Sequence, residues 1–62
     1  MTIEQHEKNL AKQGIKPWGL IIPGAGDAPE GSELHQYRKK GDPKTYFAVV
    51  APDGTVVRTM GF

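Results

Sequence analysis

The clearest pattern of apolar and polar positions lies in the last third of the chain. Residues 45–51 and 55–60 are rich in β-branched and other apolar residues, and they flank the triplet Pro52-Asp53-Gly54. Pro52 suits the first central position of a type I turn, Asp53 suits the second, and Gly54 suits a left-handed residue after them. The pattern predicts a β-hairpin with strands at 45–51 and 55–60.

The turn also predicts which residues face each other across this hairpin. If Ala51 lies opposite Thr55, then Val49 lies opposite Val57, and successive side chains alternate between two faces. The predicted faces are Phe47, Val49, Ala51 and Val57 on one side, and Tyr46, Ala48, Val50, Val56 and Met60, beside Arg58, on the other. Because both faces carry apolar residues, either the rest of the chain covers both or one of them contacts a second molecule.

The N-terminal segment has the periodicity of a helix, which we predict over residues 2–13. A thin apolar stripe at helical spacing includes His6, so His6 is expected to be a partly buried packing residue. Thr2 and Gln5 have the spacing of a capping box, which stabilises a helix N-terminus. Gly14 follows as the expected left-handed residue that ends the helix.

The middle of the chain is less regular. A short apolar run predicts a strand at 18–22, with Trp18 as the largest core residue or, alternatively, as an exposed anchor for a partner. Residues 23–32 are rich in glycine and proline and predict a flexible loop. Residues 34–39 alternate as in an edge strand, although a single helical turn fits almost as well.

These elements predict one small α+β domain spanning residues 1–62. We expect an N-terminal helix packed on a three- or four-stranded antiparallel sheet that ends in the C-terminal hairpin. Chains of this length bury a modest core, which makes self-association a reasonable expectation.

There is no cysteine, so disulfides and thiolate zinc sites are excluded. The chain has no apolar run of transmembrane length and no signal-peptide pattern, so we expect a cytoplasmic protein with no membrane partner.

Nucleotide and phosphate-loop motifs are absent from the glycine-rich segment. Gly24 and Gly26 begin a dinucleotide fingerprint, but Pro29 stands where the third glycine belongs and no helix is predicted to follow. No Gly-Lys-Ser or Gly-Lys-Thr sequence is present. We therefore expect no bound cofactor.

Catalytic and metal-binding patterns are equally weak. Ser32, His35 and Asp27 are the only local set resembling a hydrolytic triad, and they lie around a loop in which preorganised geometry is hard to maintain. His6 and His35 do not have the spacing of metal ligands. We expect no enzyme activity, no catalytic residues and no metal site.

Charge is distributed unevenly along the chain. Residues 23–33 carry three acidic residues and no basic one, whereas residues 38–44 carry four basic residues and one acidic residue. Cations beside aromatic rings are typical of surfaces that bind phosphates and unpaired bases. The candidate residues for a nucleic-acid or partner contact are Tyr37, Arg38, Lys39, Lys40, Lys44, Tyr46 and Arg58. A solvated hairpin tip is the simpler interpretation, because the isoelectric point of about 8.1 is below that of typical nucleic-acid modules.

No run of residues identifies a family, so two functional hypotheses remain. The first is a small non-enzymatic protein-interaction module, accessory or regulatory, whose partner is another protein or a second copy that contacts the C-terminal hairpin. The alternative is a small nucleic-acid-binding module that uses the basic and aromatic segment Tyr37–Lys44.

Overall fold

The structure is a computed structural model that describes residues 1–19, 21–24 and 28–61. A helix precedes a series of strands along the chain. The elements are α1 (Ile3–Lys12), β1 (Ile15–Pro17), β2 (Ile22–Pro23), β3 (Glu33–Lys39), β4 (Thr45–Val50) and β5 (Val56–Met60).

The strands form one antiparallel sheet in the order β1-β3-β4-β5. The short strand β2 also pairs with β3, through the register Ile22↔Leu34, whereas β1 pairs with the other end of β3. The strands β1 and β2 therefore occupy the same row, and the sheet has four rows. The predicted α+β fold, with an N-terminal helix on a small antiparallel sheet, is confirmed.

The helix begins as the sequence predicts. The Thr2 hydroxyl accepts a hydrogen bond from the Gln5 backbone N–H, and the Gln5 side chain accepts one from the Thr2 backbone N–H, both at 3.2 Å. The predicted ends at residues 2 and 13 are the two cap residues, Thr2 and Gln13. Gly14 follows with φ of 78°, and its N–H donates to the Ala11 carbonyl at 3.0 Å.

The chain before α1 is attached to the C-terminal hairpin. The Ile3 N–H donates to the Gly54 carbonyl at 2.8 Å, and the Val56 N–H donates to the Met1 carbonyl at 2.9 Å. These bonds place α1 against one side of the sheet, which we call the covered face. The buried cluster on that side contains Leu10, Ile15, Tyr37, Ala48 and Val50, with Ile3, Tyr46 and Val56 packed against it. His6 is also buried, and its ring meets the Tyr37 ring edge to face, as expected for a packing residue.

The hairpin turn is confirmed, but its register is not. The Gly54 N–H donates to the Ala51 carbonyl at 2.9 Å, Ala51 and Thr55 are hydrogen-bonded, and Gly54 has φ of 88°. Val50 pairs with Val56 as predicted, yet Val49 pairs with Arg58 because a β-bulge follows. The predicted pairing of Val49 with Val57, and every pairing beyond it, is therefore wrong by one position.

The bulge changes which side chains share a face. One inserted residue moves every later side chain of the strand to the opposite side. Met60 and Arg58 pair with Phe47 and Val49, so they leave the face predicted for them. We call the side of the sheet opposite α1 the open face. Its strand positions are Lys16, Ile22, Leu34, Gln36, Arg38, Thr45, Phe47, Val49, Arg58 and Met60.

The predicted strand at 18–22 and the predicted core position of Trp18 are both wrong. The extended segments lie at Ile15–Pro17 and Ile22–Pro23, and between them Gly19 has φ of 64°, which an extended strand does not allow. Trp18 is 51% exposed, while Tyr37 is 1% exposed and fills the core below α1. The register explains the difference. Trp18 comes two residues after Lys16 and lies on the open face, whereas Tyr37 lies on the covered face.

The segment predicted at 34–39 is a strand rather than a helical turn. It lies in the interior of the sheet and not at an edge, because β1 and β2 pair with one side of β3 while β4 pairs with the other. Within the predicted loop at 23–32, residues 25–27 lie outside the described residues. The Gly24 N–H donates to the Ser32 carbonyl at 3.0 Å, and this bond extends the β2–β3 ladder by one position. The flexibility of the loop stays a prediction.

Candidate binding surface

The open-face strand positions of the described chain include three cations. Lys16 and Arg38 are cross-strand partners on β1 and β3, and Arg58 lies on β5. None of the open-face strand positions in the described chain is Asp or Glu. The described acidic residues lie in α1, in the turns, in the segment before β3 and, for Glu33, on the covered side of β3. The open face is therefore positively charged, although the net charge of the chain is only +1.

Trp18 and Arg38 form the most distinctive contact on this face. The Arg38 guanidinium carbon lies 4.6 Å from the centroid of the indole ring, which is cation–π geometry. The Trp18 backbone N–H donates to the Gln36 carbonyl at 2.9 Å, so the residue is attached to β3 although it lies beyond the end of β1. The Nε atom of Arg38 is buried and makes no hydrogen bond within the described residues. Stacking on the ring therefore orients the guanidinium.

The hairpin part of the open face is not a bare apolar surface. Val49 is 1% exposed even though no helix covers it. Its cross-strand partners are Leu34 and Arg58, and the aliphatic stem of an arginine can cover apolar surface while its charged end stays in water. Phe47 is half-buried, and Met60 is 40% exposed. The larger exposed ring on this face is therefore Trp18, at the opposite edge of the sheet.

A second cationic region, which we call the basic turn (residues 39–44), joins β3 to β4. Lys39, Lys40 and Lys44 are all exposed there. Asp42 is engaged internally, because its carboxylate accepts bonds from the Lys44 N–H and the Tyr46 hydroxyl, both at 2.9 Å. These bonds lower the pKa of Asp42, led by the Lys44 N–H, and the carboxylate raises the pKa of Tyr46. The Lys44 ammonium lies 5.4 Å from the centre of the Tyr46 ring.

The basic turn adjoins the Lys16–Arg38 pair. Arg38 is followed directly by Lys39, the last residue of β3. Five of the eight Lys and Arg residues of the chain therefore lie at this end of the sheet, and within residues 38–44 the one carboxylate is that of Asp42. Charge of one sign concentrated in this way attracts polyanions more strongly than the net charge indicates.

The structure separates the seven contact residues predicted from the sequence. Arg38 and Arg58 share the open face, while Lys39, Lys40 and Lys44 lie in the basic turn. The two tyrosines belong to the covered face and pack in or against the core cluster.

Tyr37 in particular has no exposed ring to offer a partner. It is 1% exposed, and its hydroxyl donates to the Glu7 carboxylate at 2.8 Å. Burial raises the pKa of Tyr37, and the bond to Glu7 raises it further. This tyrosine therefore contributes to the packing of α1 on the sheet.

Sequence reasoning missed Lys16 on this surface, and it considered Trp18 as an exposed contact only as the alternative to a core position. Lys16 precedes the strand that the apolar pattern predicts, and Trp18 begins it. The pattern therefore did not show that both residues lie opposite α1. The signal that could have located them is the sequence Ile15-Lys16-Pro17-Trp18. Lys16 and Trp18 are two residues apart, so in an extended segment their side chains lie on the same face.

The described residues do not assemble the triad considered from the sequence. Ser32 is 2% exposed, and its hydroxyl donates to the Pro29 carbonyl at 2.5 Å. The His35 ring lies 3.3 Å from the Glu33 carboxylate, and Asp27 lies outside the described residues. Within the described ranges, no group of three or more His, Cys, Asp or Glu side chains is placed to hold a metal ion.

Two observations concern the chain as a whole. In the part that the structure describes, no helix has the length and apolar character needed to cross a membrane. Comparison with models of protein families, with curated proteins and with solved structures finds no match to this chain. Inferences about function therefore depend on the surface described above.

Proposed function

We propose that the protein is a non-enzymatic module that binds nucleic acid across the open face and the basic turn. The observation that carries the proposal is the separation of charge. Lys16, Arg38 and Arg58 stand on a sheet face whose strand positions, within the described chain, include no carboxylate, and the lysines of the basic turn lie at the end of the sheet that carries the Lys16–Arg38 pair. Cations that neutralise phosphates release condensed counterions, which supplies most of the affinity of sequence-independent binding.

The composition of the open face supports a polyanion better than an apolar partner. An interface that buries apolar surface is depleted of charge at its centre. Here the cations stand on strand positions of the face itself, and Val49 is already covered within the chain. A phosphate backbone offers charge complementary to these cations and needs no deep pocket.

The test is a salt titration with a matched pair of charge variants. Lys16→Gln with Arg58→Gln removes two cations from the open face, whereas Lys8→Gln with Lys12→Gln removes two exposed cations from α1. We expect the first variant to bind a labelled oligonucleotide more weakly. The slope of log affinity against log salt should also fall by roughly 0.7–0.9 for each phosphate that is no longer neutralised. The α1 variant should keep most of the affinity of the native protein.

The proposal fails if no oligonucleotide binds at low ionic strength. It also fails if both variants weaken binding equally, because net charge and not this surface would then explain the affinity. Circular dichroism of both variants establishes that each is folded before the comparison is made.

A second candidate function, self-association or protein binding through the C-terminal hairpin, is favoured by one observation. Val57 and Met60 on the edge strand β5 are 49% and 40% exposed. Val57 borders a groove of about 480 Å³ between α1 and β5 that also includes Met1 and Leu10. An exposed edge strand can pair with a strand of another molecule. Light scattering that finds a dimer, absent in Val57→Lys, would support this candidate over the first, and a strict monomer would count against self-association.

A further inference from the structure

The exposed indole of Trp18 carries an inference that rests on the proposed function. We propose that the nucleic acid is single-stranded and that one unpaired base stacks on Trp18, with Arg38 and Lys16 holding the adjacent phosphates. Stacking on an aromatic side chain is sequence-tolerant, because every base has a π-face. The preferred ligand is therefore unpaired DNA or RNA of any sequence.

Trp18 is held in place before any ligand arrives. Its backbone N–H is bonded to the Gln36 carbonyl, and the Arg38 guanidinium lies against its ring. Half of the residue nevertheless remains exposed, at 51%. A side chain that is already ordered loses less conformational entropy on binding, so its contact contributes more affinity. The single Trp of the chain is thus both accessible and fixed in position.

The groups beside the ring suit the phosphates that flank a stacked base. Lys16 is the direct cross-strand partner of Arg38, so a second cation stands next to the guanidinium that contacts the indole. Because the Nε atom of Arg38 is buried, the terminal nitrogens are the donors left to meet an anion. A guanidinium that stacks on a ring can still donate hydrogen bonds in its own plane, which lets Arg38 contact the ring and a phosphate together.

The shape of the sheet favours a single strand over a duplex. Bases in a duplex are stacked on one another and cannot cover an indole unless they are first unpaired. The major groove, about 12 Å wide, admits a helix or a two-stranded ribbon. Four rows of strands about 4.8 Å apart make a face roughly 14 Å across before side chains are counted, which is too wide to enter the groove face-on. A flexible single strand can lie across such a face.

The experiment uses Trp18 as its own reporter, since it is the only Trp in the chain. The full chain is titrated with an oligothymidylate about 12 nucleotides long, with a duplex of the same length, with inorganic polyphosphate and with poly-L-glutamate. Indole fluorescence is recorded in each case. We expect the oligothymidylate to bind most tightly and to quench the fluorescence, because stacking on the indole requires contact with the ring.

Two variants of similar apolar character separate stacking from packing. Trp18→Phe keeps an aromatic ring, whereas Trp18→Leu keeps an apolar side chain without one. Binding of labelled oligothymidylate, measured by anisotropy, should weaken about 5- to 150-fold in Trp18→Leu, the range expected for one stacked base, and distinctly less in Trp18→Phe. Thermal unfolding of both variants shows whether the fold is kept.

The outcomes distinguish this inference from the proposed function. Tighter binding of the duplex, or equal affinity of the Phe and Leu variants, would overturn base stacking and leave nucleic-acid binding intact. Polyphosphate or polyglutamate binding as tightly as the oligothymidylate would show that only charge is recognised, or that an acidic protein is the partner, and would also overturn the inference. If no nucleic acid binds, the proposed function itself fails.

Discussion

The two faces of the sheet, built from alternate residues of the same strands, have opposite chemistry. On the covered face the buried Tyr37 hydroxyl donates a hydrogen bond to Glu7 within the chain. On the open face three cations share the surface with an exposed indole, and the Arg38 guanidinium lies against the ring of Trp18. Burial identifies the residues that hold the fold together, whereas exposed and ordered residues identify the surface that can bind.

The largest effect that separates the two faces should be seen in stability. Leu10 is 3% exposed under α1, so Leu10→Ala should lower the free energy of unfolding by about 2–5 kcal/mol. Trp18→Ala removes a larger side chain from the open face and should cost roughly 0.5–1 kcal/mol, mainly its cation–π contact. Urea unfolding followed by far-ultraviolet circular dichroism measures both. Equal destabilisation would mean that the open face contributes to the core as much as the covered face does.

A smaller effect should come from the polar contact beneath α1. Tyr37→Phe deletes the hydroxyl that binds Glu7, and we expect destabilisation by about 1 kcal/mol, since the bond is charged but only partly buried. Tyr46→Phe is the matched control, because it deletes a hydroxyl bonded to Asp42 near the solvent-exposed turn. A double-mutant cycle with Glu7→Gln assigns the effect to the pair. If Tyr46→Phe costs more than Tyr37→Phe, the proposed ranking of the two contacts is incorrect.

The smallest effect should be a pH dependence confined to the covered face. Burial lowers the pKa of His6 below its ordinary value of 6.5, and Glu7 opposes the shift only in part. The unfolded chain therefore takes up this proton more readily. The contribution of neutral His6 to stability should be complete above about pH 6.5 and should fall as the pH is lowered from there toward the folded pKa. Urea midpoints measured from neutral to mildly acidic pH should show this decrease.

His6→Gln should remove the dependence, and His35→Gln should leave it in place. Two carboxyls in the turns act in a separate, more acidic range. Backbone hydrogen bonds lower the pKa values of Asp42 and Asp53 below 3.8, so their contributions are present above that pH and disappear only as the pH falls further. A pH dependence that persists in His6→Gln between neutral pH and about pH 5 would contradict the assignment to His6.

Local signals predicted the elements whose geometry is decided by a few adjacent residues. The capping box of Thr2 and Gln5, the end of the helix near Gly14 and the turn at Pro52-Asp53-Gly54 all form as the sequence indicates. Each depends on hydrogen bonds or backbone angles within about four residues. The candidate surface was predicted in part, because Arg38, Arg58 and the basic turn were identified, while Lys16 was not and Trp18 was considered there only as the alternative to a core position.

The errors arose where pairing between distant strands decides the result. The bulge beyond Val50 moved Arg58 and Met60 to the open face, and the division of the predicted strand at 18–22 left Trp18 exposed. Alternation along a strand shows that two faces differ, but it does not show which of them a helix will cover.

The ends of the helix and the position of the hairpin turn follow from the sequence alone, because they depend on short-range sterics and local hydrogen bonds, and the periodicity of apolar residues indicates the fold class. Long-range packing instead sets the strand register, the choice of Tyr37 over Trp18 as the central aromatic residue of the core, and the gathering of Lys16, Arg38 and Arg58 on one face. When α1 docks on one side of the sheet, it buries the alternate residues of every strand that face it. The sequence of a single strand does not show which of its two faces the helix will cover.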